Sequence, residues 1–200
     1  MSEAANQPNQ PSPEVLQKLA TAKEKKDAAD HAFKEGDLKN ALRSYHEALM
    51  YLKGLDKNAS TAMSDAVADS SPVDGAATEK PKTEACSADE MMEKIYSNQS
   101  ACHLKQGNWK RTVETADKAL ALNANNYKAL FRKAKALGES GYFEKAEKIL
   151  DDLLKKNEAD ALAINAELTR LRAIDNEREK MHNQKYKGFL NKKPADGQAA

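Results

Sequence analysis

A glycine recurs at the same point of a repeating pattern, and that recurrence limits the chain to very few architectures. Ala32-Phe33-x-x-Gly36-Asp37 is followed by Ala41, Tyr45, Ala48 and Leu49. Tyr96-x-x-x-Ser100 leads to Gly107-Asn108-Trp109, with Ala116, Ala119 and Leu120 after it. Gly141-x-Phe143 is followed by Ala146, Leu150, Leu153 and Leu154. Gly107 and Gly141 lie one full period apart, at the spacing of about 34 residues common in stacked helix pairs. Each glycine reads as the end of one helix, where a tight turn needs a residue free to take positive φ. The small residue that follows (Ala41, Thr112, Ala146) lets the second helix approach the first closely. Tyr45 and Leu150, four positions on, would pack across the pair, whereas the second repeat has only Ala116 there. Apolar residues at intervals of three and four support helices throughout.

Composition agrees with a thin array rather than one thick core. Charged residues make up 32% and aromatic residues 6% of the 200 positions, and the mean hydropathy is −0.81. Stacked helix pairs wetted on both faces tolerate such polarity. Lys plus Arg (32) and Asp plus Glu (31) nearly cancel, so no global field points to nucleic acid or membrane. No stretch approaches the roughly 18 uninterrupted apolar residues of a membrane span. Residues 1–13 have neither a basic nor an apolar signal region, so a secreted protein is not expected and the cytosol or nucleus is the expected compartment. Cys86 and Cys102 are too few and too isolated for a zinc site or a disulfide scaffold, and Cys102, in an apolar helical stretch, reads as a buried thiol.

These repeats resemble the tetratricopeptide-repeat family over about residues 22–157, apart from an insertion. Within it the chain looks most like the tetratricopeptide repeat protein 9 family and the C-terminal repeat domain of large immunophilins. The segments Tyr51-Leu52-Lys53-Gly54-Leu55-Asp56 and Arg178-Glu179-Lys180 with Tyr186-x-x-Phe189 carry that closer likeness. The resemblance implies an all-α fold of three helix hairpins in a short right-handed superhelical array, closed by a long C-terminal capping helix. The expected order is a disordered tail over 1–13 and the array over 14–158, interrupted by a disordered insertion over 57–86. A capping helix over 159–191 and a disordered tail over 192–200 complete it. The insertion is rich in Ala, Ser, Asp and Thr and has almost no large apolar residues to offset the entropy of ordering. Ser87-Ala88-Asp89-Glu90 reads as a capping box where helix resumes. Ala161, Ile164, Leu168, Leu171 and Ile174 form the apolar stripe of the capping helix.

Chaperone-binding members of the family hold a partner's terminal carboxylate with a Lys and an Asn on the first A helix, an Asn on the second, and a Lys and an Arg on the third. Carried over by position, the resemblance assigns Lys26, Asn98, Lys128 and Arg132 to this clamp. A peptide ending in Asp presents a main-chain and a side-chain carboxylate, which two lysines, an Arg fork and an amide would meet with charge-assisted hydrogen bonds. The departure is Asp30, which stands where the pattern has Asn. An ionised Asp only accepts hydrogen bonds and brings like charge towards the ligand, and Lys26, one turn away, is positioned to be drawn off by it. The implied partner is the acidic Glu-Glu-Val-Asp tail of Hsp90 or Hsp70 chaperones.

Two other readings stand beside this one. A Lys–Arg pair at helical spacing is commonly plain solvated surface, and the array would then grip another peptide or helix unrelated to chaperones. The basic run Arg178, Lys180, Lys185, Lys187, Lys192 and Lys193 reads as a solvated helix end, or as a dock for an acidic partner or calmodulin. An enzyme is not expected: there is no strand pattern for an isomerase domain, and His31, His46, His103 and His182 have neither metal nor triad spacing. No metal or cofactor is expected.

Overall fold

The computed structural model describes residues 13–64 and 85–187. Among them the chain forms seven α-helices and no strand: α1 (Pro13–Glu35), α2 (Leu38–Ser64), α3 (Ala85–Lys105), α4 (Trp109–Leu122), α5 (Tyr127–Glu139), α6 (Phe143–Lys156) and α7 (Ala161–Tyr186). A single turn of 3₁₀ helix, Glu158–Asp160, leads into α7. Helices pair as α1/α2, α3/α4 and α5/α6, the first helices of successive pairs touch, and α7 lies against α5 and α6. None of the described helices is long and apolar enough to cross a membrane.

The three repeating glycines build one turn three times over. Gly36, Gly107 and Gly141 have φ of 86°, 69° and 89°. In each turn the residue after the glycine donates back five positions (Asp37 to Ala32, Asn108 to His103, Tyr142 to Leu137), while the glycine donates back three. This double closure satisfies carbonyls that the helix end leaves free. In two of the turns the next side chain then caps the following helix. Asp37 Oδ1 accepts from Asn40 N at 3.1 Å, and Asn108 Oδ1 accepts from Arg111 N at 3.2 Å. Tyr142 makes no such cap in the third.

Two apolar clusters fill the array. The first joins α1 to α4, with Tyr45, Leu52, Ile95 and Cys102 among its members. The second joins α5, α6 and α7 through Leu150, Leu153, Ile164, Leu168 and Leu171. Ala41, Thr112 and Ala146 are fully buried, as a close approach of paired helices requires, and Ala116 is buried where the other pairs have Tyr45 and Leu150.

The structure departs from expectation at several boundaries. Helix α2 runs to Ser64, eight residues into the segment expected to be disordered. Residues 57–64 include two alanines, a lysine and a methionine, which are good helix formers. Helix α3 is already formed at Ala85, so Ser87 lies inside it rather than capping it. The capping helix occupies Ala161–Tyr186 within the expected 159–191. Residues 65–84, and the two tails expected over 1–13 and 192–200 except Pro13, lie outside the described residues. Arg178 does not belong to a wholly solvated basic face: its guanidinium donates to the carbonyls of Gly138 and Glu139, at 3.0 and 2.8 Å.

Candidate functional site

Helices α1, α3 and α5 carry the residues assigned to the clamp. Lys26 and Asp30 stand one turn apart on α1, Asn98 is on α3, and Lys128 and Arg132 stand one turn apart on α5. Lys26, Asn98 and Lys128 line one groove of about 490 Å³, together with Ser97, Asn125 and Asp160. Arg132 lines an adjoining cavity of about 330 Å³ whose walls include Tyr127, Phe131, Leu153 and Ile164. Lys128 borders both spaces.

Asp30 is the centre of a hydrogen-bond cluster within the first half of this groove. Lys26 Nζ donates to Asp30 Oδ2 at 2.6 Å, and Asn98 Nδ2 donates to Asp30 Oδ1 at 2.9 Å. The Tyr45 hydroxyl, from α2, donates to the same Oδ1. Burial opposes the charge on Asp30, but hydrogen bonds from Lys26, Tyr45 and Asn98 and the charge of Lys26 outweigh it, so the carboxyl sits below its ordinary range. Lys26 is likewise disfavoured by burial yet held above its ordinary range by Asp30, with Asp27 adding to the effect at 3.6 Å. Burial and the bond to Asp30 push the Tyr45 phenol upward, which keeps it a donor.

The α5 half of the site is arranged differently. Arg132 is partly buried, and its Nη1 donates to Ser97 O at 2.8 Å and Ser97 Oγ at 2.9 Å. Burial pulls its guanidinium below the ordinary arginine value, still far too high to lose charge near neutral pH. Lys128 is exposed and forms no ion pair with a described residue. Beside it, Glu93 is held by two amides, Asn123 Nδ2 at 3.1 Å and Asn126 Nδ2 at 2.6 Å. Burial pushes the Cys102 thiol up to about 11, in keeping with its place in the packed core.

The structure thus brings the sequence-assigned residues to one face but divides them. Lys26 and Asn98 are both engaged by Asp30, whereas only the diversion of Lys26 was expected. Three further participants went unread. Tyr45 was read only as packing, although a tyrosine at a fully buried position calls for a partner for its hydroxyl. Ser97 and Glu93 gave no signal, since their partners arrive from α5 and from the turn between α4 and α5.

Residues 103–171 match the tetratricopeptide repeat family model. Human zinc finger CCCH domain-containing protein 7A is 44% identical over 57 residues, 28% of this chain and 6% of that protein. The Hsp70/Hsp90 co-chaperone CNS1 of Saccharomyces cerevisiae is 34% identical over 61 residues, 30% of this chain and 16% of its own length. Against the first of these relatives, then, the chain spans less than a tenth of their length. Among solved structures, the C-terminal repeat-containing domain of a putative FK506-binding protein of Plasmodium falciparum is similar with a TM-score of 0.65. That likeness covers 83% of this chain and 95% of that one at 19% identity, and it bears on the fold alone.

Proposed function

Since the chain is a tetratricopeptide-repeat protein, we propose that it is a co-chaperone-like adaptor whose groove grips the acidic C-terminal peptide of an Hsp90 or Hsp70 chaperone. The observation that carries this reading is Lys128, an exposed ammonium without an ion-pair partner among the described residues, one helical turn from Arg132. Arg132 is held in place by Ser97, so less side-chain freedom is lost when an anion arrives. The likeness to a protein named as an Hsp70/Hsp90 co-chaperone supports the same partner class. Lys26 and Asn98 line the same groove, where both donate to Asp30. Such a partner places the chain in the cytosol or nucleus, as a binding protein and not an enzyme.

The test is the affinity of the chain for a peptide ending in Glu-Glu-Val-Asp. A hydrogen bond to a charged group contributes about 1.5–3 kcal/mol. Lys128→Ala should therefore weaken binding roughly ten- to a hundredfold, and raising the salt concentration should weaken the wild type as well. Unchanged affinity in Lys128→Ala would overturn the proposal. A second reading, a scaffold for another peptide, draws on the engagement of Lys26 and Asn98 by Asp30. It requires binding to peptides that carry no acidic residues.

A further inference from the structure

The cluster around Asp30 has the form of an occupied anion site. Three donors from three helices converge on one carboxylate: the Lys26 ammonium at 2.6 Å, the Asn98 amide at 2.9 Å and the Tyr45 hydroxyl. A ligand's terminal carboxylate arriving in this half of the groove would need the first two of these donors. It would find them turned towards an acid belonging to the protein. Asp27 lies a further 3.6 Å from the Lys26 ammonium, so that cation already has two acids beside it. A third would meet close like charge in a partly dehydrated setting, where water screens poorly. On α5 the balance is reversed, because Lys128 is exposed and without an ion-pair partner among the described residues.

We infer that Asp30 is a specificity-determining residue that takes the place of a ligand's terminal carboxylate, so that the groove reads acidic side chains and not the end of a chain. The inference rests on the acidic-peptide reading above and narrows its ligand class. The partner segment is acidic, is anchored at Lys128 and Arg132, and is accepted equally at a C-terminus or within a longer chain. Asp30 then acts twice. It neutralises Lys26 and so holds the first half of the groove together, and it denies that half to a competing carboxylate.

The experiment uses the full chain and one Glu-Glu-Val-Asp-ending peptide, prepared as the free acid and as the C-terminal amide, with affinities read by fluorescence anisotropy. Wild type should bind the two forms within about twofold of each other. Asp30→Asn keeps the shape, removes the charge and releases Lys26 from its 2.6 Å ion pair with Asp30. It should bind the free acid at least about tenfold more tightly than the amide. Asp30→Ser serves as a second variant, and circular dichroism establishes that each variant is folded. Two results would overturn the inference while leaving the acidic-peptide reading intact: a preference of wild type for the free acid of tenfold or more, or an unchanged free-acid to amide ratio in both folded Asp30 variants while Lys128→Ala still weakens binding. Undiminished binding of both peptide forms by Lys128→Ala overturns the acidic-peptide reading, and this inference with it.

Discussion

Gly138 and Leu171 approach so closely that a Cβ on Gly138 would lie 2.5 Å from Leu171 Cδ2 and 2.6 Å from Cδ1. Gly138 is inside helix α5 and takes no left-handed φ, so its role is to admit the capping helix α7. Leu171 is 1% exposed and sits among Leu150, Leu153, Ile164 and Leu168, which leaves it little room to withdraw. Replacing glycine with alanine in a helix normally stabilises by about 1 kcal/mol, but overpacking a filled core costs about 1–3 kcal/mol. Gly138→Ala should therefore lower the Tm, and the paired substitution Gly138→Ala with Leu171→Ala should cost less than the two single effects added together. A rise in Tm on Gly138→Ala would remove the packing explanation.

Arg178 fastens α7 to the end of α5. Its two guanidinium nitrogens donate to the carbonyls of Gly138 and Glu139 at the end of α5, the first of which also accepts from Gly141 N. Arg178→Met keeps the aliphatic stem and removes both bonds, so it should destabilise the chain by about 1–3 kcal/mol. Amide hydrogen exchange near the end of α7 should accelerate more than exchange in α1 and α3. Equal acceleration in all helices would mean that Arg178 is not a local fastening.

Acid should loosen the α1–α2–α3 junction through Asp30. Its carboxyl lies below the ordinary range in the folded chain, held there against burial by Lys26, Tyr45 and Asn98. The stability it contributes is present above its unfolded value of about 4 and is lost as pH falls through the folded value. Urea midpoints measured from pH 6 down to pH 2 should fall more steeply for wild type than for Asp30→Asn. Tyr45→Phe removes one donor and should cost about 1–2 kcal/mol at neutral pH while shifting the acid transition upward. Parallel wild-type and Asp30→Asn curves would show that Asp30 carries no such linkage.

A second pH dependence belongs to His103. Its Nδ1 is buried and has no hydrogen-bond partner among the described residues. Burial lowers the imidazole's pKa, the hydrogen bond with Gln106 opposes that, Arg111 lowers it further and Glu114 opposes again, with a net downward shift. The folded chain therefore favours the neutral ring. Its stabilising share is present above the unfolded value of about 6.5 and declines as pH falls from there towards the folded value. The wild-type Tm should drop between pH 7.5 and pH 5 by more than that of His103→Phe. An identical drop in both would assign the dependence to other groups.

The features legible in the sequence were those whose cause is local. A turn that needs positive φ selects glycine at 36, 107 and 141. Asp30 stood out as a departure, and Lys26 as its neighbour, because the two are separated by one helical turn. The reach of α2 to Ser64 was missed because low apolar content was weighed above the helix-forming tendency of the same residues.

Periodicity tells which residues share a helical face and thereby determined the paired helices, while the stacking and the polar residues singled out on α1, α3 and α5 came from the resemblance to the tetratricopeptide-repeat family. It does not tell which side chain on a neighbouring helix meets them at hydrogen-bond distance. Asn98 reaches Asp30 across 68 positions, and Arg132 finds Ser97 across 35. Gly138 reads as an ordinary helix weakness until α7 is laid against it. Ångström-scale crossing of helices decides these contacts. Only the tertiary structure therefore decided that the groove's first cation and amide, Lys26 and Asn98, already hold a carboxylate of the chain's own.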